Sequence, residues 1–328
     1  MSVSRREFVK YCATLSGALG LASSDLVRLG EVLAGPACPQ VVWLNGASCS
    51  GCSVSLLNLI ADDGPQNVAE LLIDWINLSF HPTLMDAAGD LAVSRLERAY
   101  SQAGYILVVE GGVPTGFGGA ACWAYTRHGE EVTFAETVTR LASRAWAIVS
   151  MGSCAGWGGI PAAGSNPTSV VGVGEFTGKP VVNIAGCPPH PDWMVWAIAQ
   201  LILGNAINVD EFGRPTTLSG RKVHQDCALK NAPRATTMGV PGECLQDLGC
   251  RGQWTYAPCP VSRWNNGVNW CVEAGAPCIG CTESTFPSAA PFHEGLNSVS
   301  SAPTESTIES KSDRVDLKDR SSSRRSEN

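Results

Sequence analysis

The chain has no apolar run of about 18 residues, the length that a helix needs to cross a bilayer. Its best stretch, Trp193–Leu203, is too short and carries Gln200. There is no basic stripe outside the extreme C-terminal tail. Lys and Arg number 23 against 30 Asp and Glu, for a net charge of -7, so nucleic acid is not an expected partner. No internal repeat is present, which sets aside solenoid architectures. A phosphate-cradling glycine loop is also missing, because Gly172-Val-Gly174 lacks the rest of a dinucleotide pattern. Histidine is scarce, and His81, His128, His190 and His293 stand outside ligand spacing. Ordinary hydrogen-bonded or surface roles are expected for these four, with His190, near Cys187, a candidate outer donor to a site there.

Cysteine is abundant, at 14 in 328 residues. Eleven of these cysteines and one histidine fall into three groups of four. His224-x-x-Cys227 is followed by Cys244 and Cys250. Next come Cys259, Cys271 and Cys278-x-x-Cys281. Upstream, Cys49-x-x-Cys52 opens a set that Cys154 and Cys187 complete if their loops converge. Each set has the make-up of an iron–sulfur site, which takes four ligands, usually thiolates. Zinc binds similar sets, but Cys244-x5-Cys250 is not a usual zinc spacing and the first set is drawn from separated segments. Cys12, Cys38 and Cys122 have no partner in this scheme, and Cys38 fits a lipobox poorly beside Gly35 and Pro36.

The N-terminus reads as an export signal rather than as fold. Ser4-Arg5-Arg6-Glu7-Phe8-Val9-Lys10 is a twin-arginine signature, an apolar stretch follows to Leu21, and Val32-Leu33-Ala34 suits signal cleavage. Many cysteines in an exported chain usually mean disulfides. The twin-arginine route carries proteins that load cofactors before crossing, so it is compatible with clusters assembled in the cytosol. Residues 1–34 are therefore expected to be removed. Residues 297–328, rich in Ser and charge, cannot build a core and are expected to be disordered.

Between these ends, short apolar runs alternate with amphipathic segments. Strands are expected at Val41–Leu44, Tyr105–Glu110, Trp146–Met151 and Pro180–Ile184, and helices near Ser53–Ile60, Leu91–Tyr100, Glu136–Ala145 and Asp192–Leu203. Such alternation predicts an α/β fold, a flavodoxin-like parallel sheet over residues 35–209. Cys49 and Cys52, Cys154, and Cys187 each follow an expected strand, so they should meet at the carboxyl edge of the sheet. Residues 210–296 have little periodicity and many Gly and Pro. They are expected to form a small irregular iron–sulfur domain held largely by its metals.

These motifs, in this order, resemble the small, electron-transferring subunit of periplasmic nickel–iron hydrogenases. The resemblance runs through Cys49-Ser-Gly-Cys52-Ser-Val-Ser-Leu-Leu, Phe80-His-Pro-Thr, Val109-Glu-Gly-Gly-Val-Pro114 and Gly152-Ser-Cys-Ala-Gly-Trp-Gly-Gly-Ile-Pro161. It continues through Gly186-Cys-Pro-Pro-His-Pro-Asp-Trp193, His224-Gln-Asp-Cys227, Arg263-Trp-Asn-Asn-Gly-Val-Asn-Trp-Cys271 and Cys278-Ile-Gly-Cys281. It implies a proximal 4Fe–4S cluster on Cys49, Cys52, Cys154 and Cys187. It implies a distal 4Fe–4S cluster on His224, Cys227, Cys244 and Cys250, and a medial cluster on Cys259, Cys278 and Cys281. Most of the family have Pro where this chain has Cys271 and carry a medial 3Fe–4S cluster. The subgroup paired with nickel–iron–selenium enzymes has Cys there, and it also lacks the Glu that many relatives have at Val54. A medial 4Fe–4S cluster with Cys271 as fourth ligand is thus expected, with 3Fe–4S and an unligated Cys271 as the alternative. Oxygen-tolerant relatives carry two extra cysteines, at positions matching Gly51 and Gly159, so an ordinary proximal cluster is implied.

The resemblance further implies a heterodimer with a large subunit that holds the catalytic nickel–iron centre, leaving no catalytic residue on this chain. It implies a periplasmic location and delivery of electrons to a multihaem c-type cytochrome or a membrane redox subunit. Two other readings stay open at this point: an exported iron–sulfur carrier serving another oxidoreductase, and a complex-I-like subunit, which would share the sheet-edge site but lack the His-containing C-terminal module.

Overall fold

The computed structural model describes residues 40–59, 77–265 and 267–287. The export signal, Cys12, Cys38, His293 and the Ser-rich tail lie outside the described residues. Five strands form one sheet: β1 (Val41–Asn45), β2 (Leu78–Phe80), β3 (Ile106–Glu110), β4 (Ala147–Met151) and β5 (Val182–Ile184). All neighbours pair in parallel, in the order β2-β1-β3-β4-β5. This is the flavodoxin-like order.

The central strands are continuous runs such as Val-Val-Trp-Leu and Ile-Leu-Val-Val because both faces of the sheet are covered. Side-chain alternation then divides the core in two. Val41, Trp43, Ile106, Val108, Val149 and Met151 pack on one face. Val42, Leu44, Leu107, Val109 and Ile148 pack on the other.

Among the described residues, six helices flank the sheet: α1 (Gly51–Leu57), α2 (Gly89–Gln102), α3 (Phe134–Ala142), α4 (Ser153–Trp157), α5 (Val173–Thr177) and α6 (Pro191–Ile202). The second face is covered by Leu96 of α2, by Phe134, Val138 and Leu141 of α3, and by Ala155 and Val173. The sequence specifies the start of α3 through a capping box. Thr133 Oγ1 accepts from the Glu136 amide at 3.1 Å, and Glu136 Oε2 accepts from the Thr133 amide at 2.9 Å.

The first face is covered by Leu56 of α1 and by α6. Helix α6 is buried along nearly its whole surface, and its sequence is apolar all round for that reason. One side meets the sheet. The same apolar cluster also includes Val223, Ala257, Trp270, Val272 and Cys278 from the Cys-rich segment. That segment therefore shares a hydrophobic core with the sheet.

The short helices α4 and α5 escaped the sequence pattern, and so did an edge strand and a hairpin. Strand β2 is only three half-buried residues at the sheet edge, with a register shift opposite Val41 and Val42. An antiparallel hairpin joins Trp123–Arg127 to Glu130–Thr133 through His128 and Gly129, both in the left-handed region at φ 52° and 82°. The helical segments start or stop within a few residues of the expected bounds, and the strands within two.

The edge of β5 is tied to the C-terminal segment by one buried arginine. Asn183 of β5 receives the 210–214 turn, donating from its backbone amide to the Gly213 carbonyl at 2.8 Å. In that turn Arg214 is 5 % exposed. Its guanidinium lies 2.8 Å from Asp210 and 2.9 Å from Glu283, and it donates to the Thr282 carbonyl at 3.1 Å. Glu283 and Thr282 directly follow Cys281. Breaking a buried ion pair by removing one partner strands the other charge, at about 3 kcal/mol or more. Arg214→Gln should therefore lower the thermal midpoint of the metal-loaded protein and release iron at lower temperature. An unchanged midpoint would show that the Asp210–Arg214–Glu283 tie contributes nothing.

Candidate metal centres

Cys49 and Cys52 lie at the start of α1, just beyond β1. Cys154 lies in α4, just beyond β4, and Cys187 follows β5. The carboxyl edge of the sheet thus gathers four thiols from three loops. Cys52 Sγ lies 3.5 Å from the Met151 carbonyl at the end of β4. Burial raises the Cys52 thiol well above its ordinary pKa, and the negative charges of Glu110, Cys154, Cys187 and Cys49 raise it further. Burial, together with Cys187, pushes Cys154 up to about 11. Burial and Cys49 raise Cys187. The four thiols lie within each other's fields, so ionising them together requires a positive charge among them, which is what a thiolate-bound metal centre supplies.

Two glycines make room. Gly152 has φ 87°, and a Cβ there would come within 2.5 Å of Cys52 Sγ. Gly159 has φ 51°, and a Cβ there would lie 2.9 Å from the Cys154 backbone. Neither position tolerates a side chain without displacing a thiol.

A buried carboxylate supports the same edge. Glu110, at the end of β3, accepts from the Trp43 indole at 3.0 Å, the Cys52 amide at 3.0 Å and the Ser53 amide at 3.1 Å, and also from the Ser53 hydroxyl. His81 completes the network. Its Nδ1 accepts from the Thr83 and Leu84 amides, so Nε2 carries the proton and donates to Ser53 Oγ at 3.2 Å. Burial lowers His81 to about 4, which keeps it neutral. The hydrogen-bonded role expected for His81 is thus its role in the fold. Glu110 ends a strand beside the thiols, but nothing in the sequence signalled its four donors.

The second set lies in the C-terminal segment. Burial raises Cys259 well above its ordinary value, and Cys281, Cys278 and Cys271 add to the shift. Cys278 is pushed up to about 12 by burial, with Cys250 and Cys271 contributing. Burial and the charges of Cys278, Cys271 and Cys187 raise Cys281. Cys271 therefore lies within reach of the other three, and it is exposed. The third set lines one cleft, which His224, Cys227, Cys244 and Cys250 share with Val223, Trp270 and Val272. Burial lowers His224, and the nearby charges of Arg234 and Lys230 lower it further, so its imidazole is neutral and available as a ligand. Arg234 Nη1 lies 3.7 Å from Cys244 Sγ.

The sets are stitched to one another. The charge of Cys187 acts on the Cys281 thiol, and Ser153 Oγ, beside Cys154, donates to the Cys281 carbonyl. The Cys278 amide donates to Cys250 Sγ at 3.3 Å. The second set therefore lies between the other two. His190 faces this seam. Its Nδ1 accepts from the Asp192 amide at 3.2 Å, and its Nε2 donates to the Arg263 carbonyl, so it anchors the loop after Cys259. Among the described residues, no three His, Cys, Asp or Glu side chains close around a single ion. The grouped thiols, the tight glycines and the amide donor aimed at Cys250 Sγ suit the thiolate ligation of an iron–sulfur core.

Fold and thiol sets together define a class, a flavodoxin-like α/β protein with grouped cysteines at its sheet edge and through its C-terminal third. Residues 49–201 match the family described as NADH ubiquinone oxidoreductase, 20 Kd subunit. Residues 220–293 match the C-terminal family of NiFe/NiFeSe hydrogenase small subunits. Over 321 residues the chain is 39% identical to the periplasmic [NiFeSe] hydrogenase small subunit of Desulfomicrobium baculatum, covering 89% of this chain and 99% of that one. It is 37% identical to the periplasmic [NiFe] hydrogenase small subunit of Solidesulfovibrio fructosivorans, covering 89% and 93%. The solved H2-activated [NiFeSe] hydrogenase of Dm. baculatum superposes with a TM-score of 0.72 at 38% identity, covering 78% of this chain and 99% of that one. The oxidised [NiFeSe] hydrogenase of Desulfovibrio vulgaris Hildenborough also gives 0.72, at 35% identity, covering 80% and 99%. The chain belongs to the NiFe/NiFeSe hydrogenase small-subunit family. The match over 220–293 is the C-terminal module that a complex-I-like subunit would lack.

The glycine geometry makes a specific prediction. Gly152→Ala should displace Cys52 and lower the iron content of the purified protein by about 4 atoms per chain, one four-iron cluster. Full iron retention would mean that the edge yields more easily than its 2.5 Å contact implies.

Proposed function

We propose that this chain is the electron-conducting subunit of a periplasmic nickel–iron hydrogenase, linking a hydrogen-activating large subunit to an external carrier. The observation that carries the reading is the stitched succession of the sets, from the sheet edge through Cys281 and Cys278 to the His224 cleft. In this reading Cys49, Cys52, Cys154 and Cys187 hold a proximal 4Fe–4S cluster. Cys259, Cys271, Cys278 and Cys281 hold a medial 4Fe–4S cluster, and His224, Cys227, Cys244 and Cys250 hold a distal one. Bound there, each cluster would accept and pass on one electron.

The protein's own groups do the tuning. The amide donor from Cys278 offsets thiolate charge at Cys250. Neutral His224 in place of a thiolate leaves the distal set less negative, which favours a higher potential. Glu110 adds negative charge beside Cys52, which favours a lower one at the proximal end. Val54 and Leu57 of α1 and Ile160 beyond α4 are exposed apolar side chains near the proximal set, and they suit burial against the large subunit. Export by the twin-arginine route, removal of residues 1–34, a sheet domain over 35–209, an iron–sulfur domain over 210–296 and a disordered 297–328 belong to the same reading. The carrier would be a multihaem c-type cytochrome or a membrane redox subunit.

The complex captured anaerobically through this chain from its host should reduce viologen with H2. It should contain about 12 Fe in this subunit and show no 3Fe–4S EPR signal when oxidised. Cys271→Pro should remove about one iron and introduce that signal. Iron-loaded protein without hydrogen activity would favour a carrier for another enzyme. A strong 3Fe–4S signal in the fully loaded wild type would remove Cys271 from the ligands.

A further inference from the structure

The chain as a whole is acidic, yet the segment around His224 is not. Residues 220–257 contain Arg221, Lys222, Lys230, Arg234 and Arg251 against Asp226, Glu243 and Asp247. Two of these acids are already engaged. Asp226 lies 2.6 Å from Arg221, and Asp247 lies 3.8 Å from Arg234. Glu273, whose field reaches Cys227, is held by Arg263 at 2.7 Å. The charged groups that act on the His224 ring, Arg234 and Lys230, are both cations. Lys230 is exposed and turns its ammonium to the Gln225 carbonyl, 2.8 Å away and one residue from His224.

Apolar side chains share this face. Trp254 is 45% exposed and follows Gln253, which lines the same cleft as His224. Met238 and Val240 are exposed on the loop between Arg234 and Cys244. Among the described residues Lys222 and Lys230 stand in no ion pair, and exposed aromatic and Met side chains beside such cations have the composition of a steered docking site. A basic carrier would meet like charge here, and an acidic one would meet its complement.

We infer that the His224 face docks an acidic electron-carrier protein, whose carboxylates pair with Lys222 and Lys230 around the Trp254 and Met238 contact. The inference rests on the relay reading above and adds the charge of the carrier. Each H2 oxidised by the complex gives two protons and two electrons, and each electron reduces one ferric haem of a test acceptor.

The test uses the hydrogenase complex with H2 and one acceptor in two charge states. These are native, basic cytochrome c and the same protein succinylated on its lysines, which makes it acidic. The succinylated form should be reduced about fivefold faster at low ionic strength, and the advantage should vanish at several times the screening concentration. Lys230→Glu should slow that reaction severalfold, and Ala228→Lys, a cation added at an exposed neighbour, should speed it. Viologen reduction should be the same in both variants. Faster reduction of the native form, equal rates without salt dependence, or variants without effect would each overturn the inference. Co-sedimentation with phosphatidylglycerol vesicles and no preference between the cytochromes would overturn it in favour of a lipid surface. Wild-type complex that fails to reduce viologen overturns the relay reading, and this inference with it.

Discussion

Thiols buried together repel one another as soon as they ionise, and the architecture around the three thiol sets answers that constraint. Burial is the largest cause that raises Cys52, Cys259 and Cys281, and neighbouring cysteines add to each shift. Such sets are held as thiolates only by a cationic core at their centre. The rest of the edge is arranged to admit one. Gly152 and Gly159 leave space against Cys52 and Cys154. A backbone amide points at Cys250. Glu110, a further negative charge in the same place, is itself held by Trp43, Cys52 and Ser53. Its four donors fix its position, and its field raises the Cys52 thiol.

The same economy of contacts sets the order of the centres. Ser153 stands beside Cys154 and reaches Cys281, and Cys278 reaches Cys250. Helix α6 lies under both parts, with Trp193 and Met194 in one apolar cluster with Trp270 and Val272. The Cys-rich segment has few regular elements, but it is seated on a helix that the sheet already fixes. Arg214 adds a polar tie between β5 and the residues after Cys281. Spacing between the thiol sets is therefore set by the core.

Much of this was legible in the chain, for physical reasons. Runs such as Ile-Leu-Val-Val announce strands buried on both faces, and four of the five strands were read from them. Leu78–Phe80 was not, because three half-buried residues at an edge carry no periodicity. Cys49-x-x-Cys52 and Cys278-x-x-Cys281 are local signals. Cys154 and Cys187 joined the first set because each follows a strand of a parallel sheet, and the structure gathers them there. Bridges between distant segments left no trace in the pattern. Nothing in Gly152-Ser-Cys154 signals a hydroxyl that reaches Cys281, and nothing at Arg214 signals its pairing with Glu283. The seating of the C-terminal segment on α6 was invisible for the same reason, since Trp270 and Val272 belong to no periodic run.

Iron-edge anomalous diffraction from crystals of the native complex addresses the central claim most directly. The account predicts three separate iron centres within this chain, each of about 4 atoms, in the order of the Cys49, Cys259 and His224 sets. A single ion at any set, or a centre missing from the middle of the line, would contradict it.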